Sequence, residues 1–180
     1  MILLYIPARG GSKGITGKNM YSFGGEPLIY YTLMIAKQLE EFYQGEVVNF
    51  VSTDDDDTIA YTRKLGFYNG YKRPSELSND AATITDGIFD ALLWLKKNKN
   101  QEPLHVMVLQ PTSPLRELVH AKQFITHYFD NQLNSAFSVI PMRQHPVECI
   151  RVFGDSWDYL KTRTKKTYQR QTYEQTDYFI

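Results

Sequence analysis

The chain has 180 residues, 42% apolar and 22% charged, which makes one domain of ordinary size with enough apolar material for a real core. Its 20 Lys and Arg balance 20 Asp and Glu, so no overall field draws it to nucleic acid or to a membrane surface, and any anion binding has to be local. A single cysteine, Cys149, excludes an intrachain disulfide and favours a reducing compartment. No neighbouring feature activates that thiol as a nucleophile, so it reads as buried or inert. No apolar run reaches the length of a membrane span and the N-terminus opens at once on a strand, so the expected location is the cytoplasm.

Ile2–Ile6 is a short apolar run of strand type, ended by Pro7. The loop that follows carries Gly10, Gly11, Gly14 and Gly17 together with Arg9, Lys13 and Lys18. Glycines allow backbone amides to converge on an anion, and these cations exceed what one exposed turn needs for its own stability, so the loop reads as a polyphosphate site. The bland alternative is a flexible basic hairpin loop. The Walker pattern would need Gly at Ser12 and Ser or Thr at Asn19, and the dinucleotide pattern G-x-G-x-x-G fails at Ser12. This is a phosphate loop of another type.

Pro27 suits a first helical position, and Leu28 to about Phe42 reads as a helix that Gly45 stops. Val47–Val51 is the next strand. The run Asp54–Asp57 after it invites a metal, but acidic residues at a helix start also cap free N–H groups and oppose the dipole, and the segment Thr58–Leu65 with Gly66 as its stop fits such a helix. Capping is the preferred reading. A variable stretch with Phe67, Tyr68 and Tyr71 leads to Arg73, which Pro74 holds extended. Thr83 starts a long helix with Ile84, Ile88, Ala91, Leu92 and Leu95 on one face; it can serve as the N-cap, as a ligand contact, or as both.

Leu104–Leu109 is a continuous apolar strand of the buried kind, and the two prolines of Gln110–Arg116 fix a rigid loop at its end. Glu117 to about Phe129 is a further helix and Ala136–Ile140 a further strand. Alternating strands and helices through residue 140 imply an α/β fold, three-layered, with a mostly parallel sheet flanked by helices and ligands beyond the carboxyl ends of the strands. From Met142 onward, with Arg143, His145, Glu148, Trp157 and the polar run 162–171, no period is evident.

Four stretches carry a family resemblance: IPARGGSKGITGKN at 6–19, VSTDD at 51–55, RPSELSNDAAT at 73–83 and LQPTSPLR at 109–116. In this order, over about the first two-thirds of the chain, they resemble the acylneuraminate cytidylyltransferases, or CMP-sialic acid synthetases, whose opening motif is close to IPARGGSKGIPRKN. Thr16–Gly17 departs from that motif's proline and basic pair, and Glu148 stands where many relatives have a cation or an apolar residue. Gln110 is followed by Pro111–Thr112–Ser113 where CMP-Kdo synthetases have Gly and Asp, so the sialic-type branch is the better match.

The resemblance implies a nucleotide-diphospho-sugar transferase-like fold and transfer of CMP from CTP to the anomeric hydroxyl of a nonulosonic acid, with release of pyrophosphate. It implies catalytic roles for Arg9, Lys13 and Arg170, nucleotide contacts from Gly10, Gly11, Ser12, Lys18, Asn19, Arg73 and Thr83, and sugar contacts from Gln110, Thr112, Ser113, Arg116 and Gln171. It implies Mg²⁺ as cofactor, held by aspartates expected past Ile180, so the C-terminal part of the fold reads as incomplete. By the same resemblance 1–141 is the nucleotide-binding domain, 142–171 closes the site and pairs two chains as a homodimer, and 172–180 returns toward the sheet. The expected partners are CTP and a nonulosonic acid, without nucleic acid or membrane. A non-catalytic nucleotide-binding or interaction domain lacking the metal aspartates is the alternative.

Overall fold

The structure, a computed structural model, describes residues 1–12, 14–139, 149–154 and 156–159. The chain divides into two compact units, Met1–Thr126 and His127–Ile180. In the first unit the elements run β1 (Ile2–Pro7), β2 (Ser22–Phe23), β3 (Glu26–Pro27), α1 (Leu28–Tyr43), β4 (Val47–Ser52), α2 (Asp56–Lys64), α3 (Ile84–Lys99), β5 (His105–Val108) and the greater part of α4 (Leu118–Asp130).

β1 is the axis of this unit. It pairs in parallel with β4 on one side, Ile2 opposite Val47 through Pro7 opposite Ser52, and with β5 on the other, Ile2 opposite His105 through Tyr5 opposite Val108. A strand with a neighbour on each side and helices above and below has no solvent face, which is why ILLYI is apolar without alternation. Its side chains nevertheless divide with period two. Ile2, Leu4 and Ile6 join the core made with α1 and with Ala121 and Ile125 of α4. Leu3 and Tyr5 enter a second core with Phe50, Tyr71, and Ala91 and Leu95 of α3. Helices therefore cover both faces, and the unit is the expected three-layer α/β arrangement.

The helix ends follow local chemistry. Asp55 is the N-cap of α2, its carboxylate accepting from the Thr58 N–H at 2.9 Å and from the Thr58 hydroxyl at 2.5 Å. Thr83 caps α3 in a capping box: the Asp86 N–H donates to Thr83 Oγ1, while the Asp86 carboxylate accepts from the Thr83 N–H at 2.8 Å and its hydroxyl at 2.7 Å. α1 ends with Gln44 at φ 38° and Gly45 at φ 92°, the left-handed region that a glycine enters at least cost.

Three expectations are corrected. Pro27 precedes α1 and pairs in the β2–β3 ribbon, opposite Ser22, because its ψ of 142° is extended. The strand at 104–109 is shorter, His105–Val108, and Leu104 is 84% exposed with Val106 also exposed, since among the described residues β5 borders β1 alone and its outer side is an edge. Residues 136–139 form no strand: Phe137 is 83% exposed and Val139 is exposed, and β-branched and aromatic residues make a strand only where a partner supplies the ladder. Ile140 and 141–148 lie outside the described residues, as do 160–180. In the second unit Ile150–Phe153 (β6) and Ser156–Tyr159 (β7) form an antiparallel hairpin.

The capping box makes a pH-dependent prediction. Hydrogen bonds from Thr83 hold the Asp86 carboxyl below its ordinary range, so the stability it adds is present above the pKa of the unfolded chain and is lost as pH falls through the lowered folded value. Urea midpoints of the natural chain and Asp86→Asn should differ at pH 7 and converge in acid.

Candidate active site

The strand order β4-β1-β5 makes β1 the point at which the chain changes direction across the sheet: the connection through α1 leads to one side, and the later connection through α3 leads to the other. Loops leaving the carboxyl ends of β1 and β5 must diverge there, and a crevice opens between them. A cleft of about 520 Å³ occupies that place, lined by Arg9, Ser12, Lys18 and Asn19 from the β1 loop, Arg73, Asp80 and Thr83 from the segment before α3, and Gln110 and Thr112 after β5. Its size lies within the range of about 300–1,000 Å³ typical of small-molecule sites.

The β1 loop is partly self-satisfied. The Gly10 N–H donates to the Asp54 carboxylate at 2.9 Å and the Ser12 N–H to the Gly10 carbonyl at 2.8 Å, so these two amides are engaged within the protein. Glycine is favoured at Gly10, where a Cβ would stand 3.0 Å from Asp55 Cβ, and at Gly17, whose φ is 61°. Gly11 has neither a crowded Cβ position nor positive φ, so the turn does not depend on glycine there. Asn19 is buried and its Nδ2 donates to the Arg9 carbonyl at 3.0 Å, closing the loop at its far end.

Arg9 reaches across the cleft. Its Nη1 donates to the Asn79 carbonyl at 2.8 Å and its Nη2 to the Asp80 carboxylate at 3.1 Å. The partner segment is itself shaped by Asn79, whose Oδ1 accepts from the N–H groups of Ala81 and Ala82. Both charged side chains are well exposed, so the pair contributes at most about 1 kcal/mol and yields readily to a more highly charged guest.

Arg73 is the opposite case. It is 8% exposed, with Nε donating to Ser52 Oγ at 2.8 Å, Nη2 to the Tyr5 hydroxyl at 2.9 Å, and its backbone N–H to the Thr53 carbonyl at 2.8 Å. An arginine this buried is tolerable only with such partners. Beside it Tyr71, pushed above the ordinary tyrosine range by burial and by its 2.6 Å hydrogen bond to Asp90, packs on Phe50 and Trp94. The stretch that looked variable in sequence thus supplies core.

Among the expected site residues, Arg9, Ser12, Lys18, Asn19, Arg73, Thr83, Gln110 and Thr112 come together in the cleft. Ser113 and Arg116 lie outside its lining. Arg116 instead supports the loop through a 3.4 Å bond from Nη2 to the Gln110 carbonyl, with its guanidinium held below the usual arginine range by burial. Lys13, Arg170 and Gln171 lie outside the described residues. Asp80, Tyr5, Ser52 and Gly87 were not singled out from the sequence; Asp80 falls inside a quoted motif, whereas Tyr5 reads there as one more apolar strand residue.

The acidic run is occupied: Asp54 by Gly10, Asp55 by Thr58, and Asp56 by the Lys72 ammonium at 2.6 Å. Among the described residues no group of three His, Cys, Asp or Glu side chains is placed to hold a metal. Asp55 is the N-cap of α2, in keeping with the capping reading of the acidic run.

A family described as Cytidylyltransferase matches residues 3–177. The chain belongs to the cytidylyltransferase family. Among curated relatives, an N-acylneuraminate cytidylyltransferase of Streptococcus agalactiae serotype V is 31% identical over 166 residues, 92% of this chain and 38% of that protein. A pseudaminic acid cytidylyltransferase of Campylobacter jejuni serotype O:2 is 35% identical over 146 residues, 81% of this chain and 60% of that protein. This member of the family thus spans well under two thirds of the length of either relative. Among solved structures, CMP:2-keto-3-deoxy-manno-octonic acid synthetase complexed with CTP matches with a TM-score of 0.54 over 73% of this chain and 48% of that one, at 21% identity, a likeness of fold.

The burial of Arg73 makes its own prediction. Ser52→Ala removes the acceptor of Nε and should cost about 1–3 kcal/mol of stability, read as a lower urea midpoint by far-UV circular dichroism.

Proposed function

We propose that the protein transfers CMP from CTP to the anomeric hydroxyl of a nonulosonic acid, releasing pyrophosphate. The observation that carries this reading is the meeting of Arg9, Lys18 and the buried Arg73 with Gln110 in one cleft at the carboxyl ends of β1 and β5. In the reaction the hydroxyl oxygen bonds to the α-phosphorus and gives up its proton to solvent water, while the bond from that phosphorus to the oxygen bridging the β-phosphate breaks. Negative charge then builds on the departing pyrophosphate. In this reading Arg9 and Lys13 meet that charge, and Lys18 and Ser12 hold the polyphosphate; little covalent chemistry is asked of the protein. Arg73, Asn19 and Thr83 form the nucleoside side of the reading, and Gln110 and Thr112 the sugar side, with Arg170 and Gln171 closing on it.

The names of the relatives support a nonulosonic acceptor, N-acylneuraminate or pseudaminate being the first to try. Mg²⁺ enters this reading as a companion of the triphosphate, since such ions are commonly bound through substrate phosphates with few protein ligands. A homodimer working in the cytoplasm completes it. The absence among the described residues of any helix long and apolar enough to cross a membrane is compatible with that, and the equal counts of cationic and anionic residues disfavour a nucleic-acid partner.

The test is pyrophosphate release from CTP with Mg²⁺ and a panel of nonulosonic acids, run beside CTP calorimetry. Release that needs one sugar and falls at least tenfold in Arg9→Ala is expected. Asp80→Asn removes the carboxylate that competes with phosphate for Arg9 and should tighten CTP binding about two- to fivefold at low salt, an advantage that added salt erodes. CTP binding without release for any sugar would favour a non-catalytic nucleotide-binding domain, and no binding would remove the proposal altogether.

A further inference from the structure

Arg73 is held by two side chains with very different claims to their positions. Ser52 is the last residue of β4, where the strand gives way to the polar run that follows and a hydroxyl is unremarkable. Tyr5 lies in the middle of the central strand, wholly buried, its ring stacked on Phe50 with centroids 6.4 Å apart and planes at 15°. A hydroxyl there has to find a polar partner and room to reach it. The partner is Arg73 Nη2, and the room is left by Gly87 in the first turn of α3: a Cβ at Gly87 would overlap the Tyr5 hydroxyl oxygen and stand 3.7 Å from Arg73 Nη2. Gly87 lies inside a helix, with no positive φ, where glycine is less favourable than alanine. The backbone does not explain it; the close approach of Tyr5 does.

With Nε on Ser52 and Nη2 on Tyr5, the guanidinium plane is defined by two fixed bonds, and Nη1 makes no hydrogen bond with the described residues. We infer that Tyr5 and Gly87 act as a positioning pair that aims Arg73 Nη1 at the nucleoside part of the bound nucleotide, where a carbonyl or hydroxyl oxygen would accept it. This rests on the nucleotide reading above and adds two residues to it. Neither touches the ligand. Their contribution is to remove the rotational freedom that a long arginine side chain would otherwise lose on binding. The polyphosphate is held by a different loop, that of Arg9 and Lys18, so the pair governs affinity for the nucleoside and leaves affinity for phosphate alone.

The discriminating measurement is calorimetric titration of the natural chain, Tyr5→Phe, Gly87→Ala and the double variant with CTP and with inorganic tripolyphosphate, with far-UV circular dichroism to establish the folded fraction. Tyr5→Phe should weaken CTP about tenfold and leave tripolyphosphate within twofold. Gly87→Ala should do the same or destabilise the chain, and the double variant, which lacks the oxygen that the new Cβ meets, should match Tyr5→Phe within twofold and regain its stability. Equal losses for CTP and tripolyphosphate in Tyr5→Phe, or unchanged CTP affinity, would overturn the inference while leaving the nucleotide reading intact. A natural chain that binds neither probe would overturn both.

Discussion

The Arg73 guanidinium is the constraint around which the first unit is arranged. A charged group this deep is stable only if its N–H groups are met, and the requirement reaches into four separate parts of the chain. β4 must end on a hydroxyl, at Ser52; β1 must carry tyrosine where an aliphatic residue would pack as well; α3 must have glycine at its first turn; and the Arg73 backbone must run extended beside Thr53, which Pro74 favours. These residues are distant in sequence and serve one cation. Its burial, at 8% exposure, keeps its hydrogen bonds in a medium where they are strong.

The sheet supplies the place. Because β1 is flanked by β4 and β5, its carboxyl end is the point where neighbouring connections part, and the cleft is the gap they leave. The two arginines of that gap are held differently: half-exposed Arg9 is paired with Asp80, whereas Arg73 is buried and fixed by bonds to Ser52 and Tyr5.

Much of this was legible beforehand where local rules and global fold agree. The glycine and cation pattern after ILLYI marks the loop that lines the cleft, Asp55 and Thr83 sit where helices need caps, and the motif stretches fall at strand ends. Other readings required information that no short stretch holds. Residues 136–139 have the composition of a strand, but a ladder needs a neighbour, and none of the described strands provides one. Leu104–Leu109 reads as buried because it is apolar, yet an edge position leaves Leu104 and Val106 open.

Sequence alone determined the class of fold, the cationic loop and the family, because periodicity, caps and motif order are encoded within a few residues of one another. Tertiary structure decided which of the marked residues share a cleft and which merely support it, setting Gln110 and Thr112 in its lining and Arg116 behind the loop. It also decided that Tyr5 is a polar anchor as well as core, and that Gly87 is a spacing requirement. The physical reason is that a hydrogen bond or a forbidden Cβ is a relation between atoms brought together by folding, here 68 residues apart for Tyr5 and Arg73, and no property of either residue states it in advance.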